Sequence, residues 1–208
     1  MIIILHCCAL TDEVYSFHEH LSHTRWGFDP VIHTARFVRA QSAFLFTSIL
    51  AASALFMPTT PALSKRLSSH VKLLAQNVIA RRHRSVEIVL AFMANVPWMA
   101  PGKRLGDDDT CLYISMAINI ALDLSLNKFT TFFHSDDGKK FARADCLDSR
   151  RALLMDGFED VDAKSEWGRR LLRRRERAWI ALFVVERGYV FFFFFFFFFC
   201  LAAITNSG

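Results

Sequence analysis

DDDTCLYISMAINIALDLSLNK, residues 107–128, carries the clearest secondary-structure pattern of this chain. Its apolar side chains recur at intervals of three and four residues, which places them on one face of an α-helix: Tyr113, Met116, Ala117, Ile120 and Leu124. The carboxylates Asp107 to Asp109 precede this pattern, and acidic residues are favoured at a helix N-terminus by capping and by the helix dipole. The stretch therefore predicts an amphipathic helix that packs one face on a core.

Several other segments combine a helix-start motif with an apolar pattern of the same period. Asp29-Pro30 predicts a helix that runs toward Phe56. Thr60-Pro61 predicts a second helix, and its apolar face consists of Leu63, Leu67, Val71, Leu74 and Val78. Two further helices are predicted to start at Ser85 and Ser165.

Residues 129–164 are polar and mixed, and we predict a loop there with one short helix near residues 150–155. No segment shows the clear polar–apolar alternation of a half-buried strand. The expected fold is therefore all-α, an irregular multi-helix bundle.

Composition and charge narrow the class of protein. The chain has 208 residues, of which 53% are hydrophobic, which predicts one domain with a real core and excludes a disordered or fibrous chain. The net charge is +5, but residues 164–177 hold seven cations against two glutamates, so the rest of the chain is neutral. The positive charge therefore reports one basic segment and does not by itself indicate nucleic-acid binding.

That basic segment, RRLLRRRER at residues 169–177, admits three interpretations. It is a solvated helix face, a nuclear localisation patch, or a phosphate-contacting surface. The localisation hypothesis assigns the patch to Arg169, Arg170, Arg173, Arg174, Arg175 and Arg177.

The residue types needed for a metal site or a nucleophile are present without the usual spacing. Five cysteines, with no C-x-x-C pair, indicate neither a disulfide framework nor a zinc cluster. The residues near the N-terminus that could bind a metal ion show no repeated spacing: His6, Cys7, Cys8, His18, His20, His23 and His33. Motifs for nucleophilic catalysis and phosphate binding are absent. We therefore assign no catalytic residue, no metal ligand and no cofactor, and expect a non-enzyme.

An enzymatic alternative depends on Asp107 to Asp109 alone. Helical enzymes that bind metal–diphosphate need carboxylates one helical turn apart on one face, so that their oxygens can hold Mg²⁺. Three consecutive carboxylates point in different directions. A helix start is the better interpretation.

The C-terminal region contains nine consecutive phenylalanines, Phe191 to Phe199. Residues 188–204 carry no charge, and their length of 17 residues is at the lower limit for a membrane-spanning helix. A tail anchor formed by these residues is the alternative hypothesis for function. Identical residues carry no periodicity and specify no packed face. We therefore also hypothesise that residues from about 190 onward are a translated pyrimidine tract and are not native coding sequence.

Four segments, in order, resemble the fungal-specific transcription factor domain, the middle homology region of fungal zinc-cluster regulators. They are SAFLFTSILAASALF (42–56), RSVEIVLAFMANVPWMAPGK (84–103), DDDTCLYISMAINIALDLSLNK (107–128) and RRERAWIALFVVERGY (174–189). This chain departs from the family pattern at Ala43, where proline is usual, at Asn119, where arginine is usual, and at Ser125, where glycine is usual.

The resemblance implies an all-α regulatory domain in the nucleus that controls transcription by RNA polymerase II. Its expected partners are transcriptional coregulators or a small effector, with a homodimer as a further hypothesis. In this family DNA is contacted through a six-cysteine zinc cluster that this chain does not contain, so zinc is expected only in that missing module. The expected organisation is a lead-in at 1–27, a partial regulatory domain at 28–189, incomplete at its C-terminus, and a phenylalanine tail at 190–208.

Overall fold

The structure is a computed structural model that describes residues 14, 17–19, 27–56, 61–99, 109–132 and 143–205, with side chains as far as Tyr189. About 73% of it is helical, which confirms the predicted all-α class. In chain order the helices are α1 (Ala35–Gln41), α2 (Ala43–Ala54), α3 (Pro61–Arg81), α4 (Val86–Asn95), α5 (Thr110–Asp123), α6 (Ser149–Met155) and α7 (Glu166–Thr205). Short 3₁₀ turns lie at Val96–Trp98 and Arg143–Asp145.

Of the four helix starts predicted outside residues 107–128, three are confirmed. α3 begins at Pro61. The Ser85 hydroxyl accepts from the Ile88 N–H at the start of α4, and the Ser165 hydroxyl accepts from the Gly168 N–H at the start of α7. Each serine satisfies a backbone N–H that the first turn of a helix leaves without a partner.

The prediction of one continuous helix from Asp29-Pro30 toward Phe56 is wrong. Residues 29–34 form a turn, α1 begins only after Thr34, and Ser42 breaks the segment into two helices. Ser42 has extended backbone angles, ends α1, and accepts from the Leu45 N–H to begin α2. A serine hydroxyl competes for backbone hydrogen bonds in this way, which favours a cap over a helix interior.

Residues 129–164 contain the predicted short helix, α6, and also a strand pair that was not predicted. β1 (Phe129–Thr131) pairs in parallel with β2 (Cys146–Asp148), with Phe129 opposite Cys146. Each strand has three residues, which is too short for alternation to be visible in the sequence.

The core is centred on α4, which is buried along all ten residues. α2, α5 and α7 pack around it, and α3 packs on α2. The predicted face of α5 is turned inward, with Tyr113, Ala117 and Ile120 buried. A smaller buried cluster joins α6 to the first turns of α7 and consists of Ile32, Leu147, Ala152, Leu153, Leu171 and Leu172.

Candidate functional site

The arginine-rich start of α7 is not a single solvated face, so that interpretation of the basic segment is wrong. Arg169 and Arg173 are exposed, but Arg174 and Arg175 are buried to 0% and 1% exposure. Arg174 lies three residues after the buried Leu171 and four before the buried Ala178, so it shares their inward face. The nuclear localisation hypothesis now depends mainly on Arg169 and Arg173.

The two buried arginines meet two buried carboxylates. Arg174 donates through Nη1 to Glu87 on α4 and through Nη2 to Asp156 Oδ2, at 2.6 Å. Arg175 donates to the other oxygen of Asp156. Two positive and two negative charges are therefore paired in a space from which water is excluded, a geometry in which losing one partner is costly.

The ends of two other helices also contribute to this network. Arg175 donates to the carbonyl of Leu124, which follows α5, and to the carbonyl of Ala152 in α6, at 3.4 Å. The last carbonyls of a helix have no partner within the helix, so the guanidinium satisfies one of them. Burial lowers the pKa of Arg175, and the neighbouring Asp156 carboxylate opposes that shift.

Local backbone geometry places these groups. Gly157 follows α6 with a φ of 82°, a left-handed conformation that ends the helix and leaves Asp156 at its C-terminus. Ser125 follows α5 in the same way with a φ of 57°, beside the Leu124 carbonyl that Arg175 binds. A left-handed position of this kind favours glycine, which is the usual residue here in the fungal domain that the sequence resembles.

Arg170 and Arg177 are half-buried because both pair with Asp29. The Arg177 Nη2 to Asp29 Oδ2 distance is 2.7 Å, and the Arg170 Nη1 to Asp29 Oδ1 distance is 3.3 Å. Burial raises the pKa of Asp29, but the Val31 N–H and the guanidinium of Arg177 lower it more, so the net pKa is below its usual value. Asp29 therefore stays ionised and anchors the turn before α1 to α7.

A cavity of about 250 Å³ lies between α2, α3, α4 and α5. Its walls are mainly apolar and include Ala51, Ala52, Leu55, Val71, Trp98, Met99 and Tyr113, with Ser68, Lys72, Asn95 and Asp109 as polar members. The Asn95 side-chain amide donates to Ser48 Oγ at 2.8 Å and to the Ala91 carbonyl at 2.7 Å. Burial raises the pKa of Tyr113 to about 12, so its hydroxyl keeps its proton. Apolar walls with a few oriented polar groups are typical of a site for a small ligand.

The predicted helix-start role of the acidic triplet is only partly correct. Asp109 occupies the position before α5, but its side chain makes no capping hydrogen bond. It pairs instead with Lys72 of α3, at 3.1 Å, where both residues line the cavity. Asp107 and Asp108, on which the enzymatic alternative depends, lie outside the described residues.

A larger cavity of about 600 Å³ lies beside α6 and residues 159–164. Several polar groups in its wall are engaged in local structure. Asp148 caps α6 by accepting from the Arg151 N–H, Asp162 accepts from the Lys164 N–H, and Ser149 donates to the Thr131 carbonyl. These contacts identify Asp148, Ser149 and Asp162 as residues that form caps and turns.

Within the described residues, the possible metal ligands near the N-terminus do not form a metal site. There, no group of three or more His, Cys, Asp or Glu side chains is arranged to hold a metal ion. The His33 ring is buried and its Nδ1 accepts from the Asp29 N–H at 2.9 Å, while His18 Nε2 lies 2.8 Å from the His33 carbonyl. The remaining candidates lie outside the described residues: His6, Cys7, Cys8, His20 and His23.

Three comparisons with known proteins cover the whole chain. No family model, no curated protein and no solved structure matches it. Within the residues whose side chains the structure describes, no helix is both long enough and apolar enough to cross a bilayer. The side chains of residues 190–208, on which the tail-anchor hypothesis depends, lie outside the described part.

Sequence reasoning missed the ion-pair network, although two features of the sequence indicate it. Glu87 is the sole charged residue in the otherwise apolar helix Val86–Asn95, and Arg174 and Arg175 interrupt an apolar face of α7. Charged residues at apolar positions on two different helices predict a buried pair. Which charges pair could be learned only from the packed chain.

Proposed function

We propose that this chain is the regulatory portion of a fungal zinc-cluster transcription factor and makes no DNA contact itself. It modulates transcription by RNA polymerase II in the nucleus, through coregulators or a small effector, and performs no catalysis. DNA contact and zinc belong to a separate module of such regulators.

The observation that carries this proposal is the placement of the four segments that resemble the family. They supply α2, α4, α5 and the part of α7 that packs on the core, and α4 contacts the other three. Three of the segments also supply Glu87, the Leu124 carbonyl and the buried arginines of the ion-pair network. Matching motifs that converge on one core support a common origin better than four matches scattered over a surface.

The inter-helix cavity supports the effector part of the proposal. Three of these helices, α2, α4 and α5, enclose it together with α3. Its volume of about 250 Å³ suits a compact, mainly apolar molecule with one or two polar groups. A ligand there would contact α2, α3, α4 and α5 together, so its binding would favour one arrangement of these helices.

A reporter assay tests the proposal. The complete chain is fused to a heterologous DNA-binding domain, and reporter expression in a fungal host is compared with that of the DNA-binding domain alone over several nutrient and stress conditions. We expect a change of expression in at least one condition. Equal expression in all conditions, with the fusion protein present in the nucleus, would contradict a regulatory role.

Two matched variants connect regulation to the cavity. Ser68 and Ser69 are adjacent and exposed on α3, but only Ser68 lines the cavity. Ser68→Trp places a large ring at the cavity, and we expect it to change the response to conditions. Ser69→Trp is expected to behave as the unmodified chain, and identical behaviour of the two variants would count against the cavity.

A further inference from the structure

The outward face of α7 is apolar around residues 180–184, although no described element covers it there. Ile180 is 56% exposed and Phe183 is 53% exposed, and Val184 beside them is 38% exposed. The opposite face of the same helix carries the buried Ala178 and Leu182. An apolar stripe on the side of a helix away from its own core indicates a surface that a partner covers.

Charged residues of opposite sign flank this stripe on the same face of α7. Glu176 lies four residues before Ile180, and Arg187 lies four residues after Phe183. Glu176 is exposed and accepts from the Thr130 hydroxyl at 2.7 Å. The Arg187 guanidinium lies 5.3 Å from the centre of the Phe183 ring, and its Nε lies 3.0 Å from Glu186.

This symmetric spacing makes the face complementary to itself. If two α7 helices pack antiparallel about a two-fold axis between residues 181 and 182, Ile180 of one copy lies opposite Phe183 of the other. Glu176 then lies opposite Arg187 at both ends of the pair. A parallel pair would bring like charges together instead, and like charges across an interface oppose association.

We infer that the Ile180–Phe183–Val184 face of α7 binds a second copy of this chain as an antiparallel helix pair. The same patch serves both copies, as in a two-fold symmetric dimer. The inference does not depend on the proposed role in transcription, because it uses only the exposed side chains and charges of α7.

Charge exchange in the full-length protein tests this arrangement. Glu176→Arg and Arg187→Glu each place like charges at both ends of the pair, and we expect each to weaken dimerisation about tenfold or more in sedimentation velocity. The double variant Glu176→Arg/Arg187→Glu restores opposite charges and is expected to dimerise like the unmodified chain. An equimolar mixture of the two single variants is expected to form a mixed dimer, because both charge pairs are then complementary.

Exposed apolar positions provide the matched control. Ile180→Glu is expected to abolish the dimer, whereas Leu73→Glu on α3, at a site of nearly equal exposure (57%), is expected to leave it intact. Both sites are exposed, so circular dichroism should show folded variants. A monomeric unmodified chain, or an assembly that neither Ile180→Glu nor the charge exchanges alter, would overturn the proposal.

Discussion

At the scale of single residues, Glu87 shows how a charge is accommodated in an apolar helix. Its side chain is 2% exposed, and Arg174, which binds it, is fully buried. The Arg174 guanidinium also lies 5.3 Å from the centre of the Phe158 ring, which adds a cation–π contact. Because each charge is held by the other, removing one leaves its partner buried without compensation.

Replacing Glu87 alone should therefore be far more harmful than replacing the pair. We expect Glu87→Leu to lower the free energy of unfolding by about 3–5 kcal/mol, and Glu87→Leu/Arg174→Leu to recover most of that loss. Urea denaturation of both single variants and the double variant measures the coupling. The exposed Glu166→Ala serves as a control with an expected effect under about 0.5 kcal/mol. Additive losses would show that the two side chains do not act as a pair.

Ser125 is strained for a residue with a side chain, because its φ of 57° lies in the left-handed region. We expect Ser125→Gly to raise the free energy of unfolding by about 0.5–1 kcal/mol. Ser115→Gly, an exposed site within α5, should instead lower it by about 0.5 kcal/mol, since glycine weakens a helix interior. Thermal unfolding of the two variants compares them, and a loss of stability on both substitutions would contradict the strain at Ser125.

At the scale of elements, the turn at residues 29–34 ties the chain before α1 to α7. Asp29 pairs with two arginines of α7, and its N–H donates to the buried His33 ring. Burial, reinforced by the positive charge of Arg174, lowers the pKa of His33 to about 3. The neutral form of His33 is therefore the form that the folded protein requires.

This requirement predicts a loss of stability in mild acid. The unfolded chain binds a proton on His33 near pH 6.5, whereas the folded chain does so only near pH 3. Neutral His33 makes its full contribution to the free energy of unfolding above pH 6.5. As the pH falls below 6.5, that free energy should decrease by about 1.4 kcal/mol per pH unit. Urea midpoints between pH 7.5 and 5 measure this slope, and His33→Gln should flatten it. Equal slopes for both proteins would show that His33 is not the group responsible.

At the scale of the whole molecule, the ion-pair network joins two hydrophobic clusters. The main cluster surrounds α4, and the smaller one lies between α6 and the start of α7. Asp156 at the end of α6 binds both buried arginines, and these reach Glu87 of α4 and the carbonyl that follows α5. Phe37 packs against both clusters as well. We therefore expect the two clusters to unfold together.

Two tryptophans can test this cooperativity. Trp98 packs against the main cluster, and Trp167 contacts Phe37 beside the smaller one. In variants that keep one of these tryptophans, with the others changed to phenylalanine, we expect the same urea midpoint from both fluorescence signals. Asp156→Asn removes the shared carboxylate charge and should lower the midpoint reported by Trp167 first. Separate midpoints in the chain that retains Asp156 would contradict the coupling.

Local properties of the helices were predictable, because helical period and capping depend on neighbours in sequence. Pro61, Ser85 and Ser165 begin helices as predicted, and the apolar face of α5 points inward. The predictions were wrong where the side chain of a local motif binds a group far away in the sequence. At Asp29 the predicted helix start is a turn, in which the carboxylate accepts from the Val31 N–H and also binds arginines about 140 residues later in the chain.

The sequence by itself determined the helical class, most helix starts and the α5 face, since these follow from interactions within a few residues. Only the tertiary structure decided that Arg174 and Arg175 point inward, that Asp109 pairs with Lys72, and that two three-residue strands run parallel. Each of these depends on groups that are far apart in sequence and meet only when the helices pack. Burial then removes water from the charges, and pairing becomes the arrangement of lowest free energy.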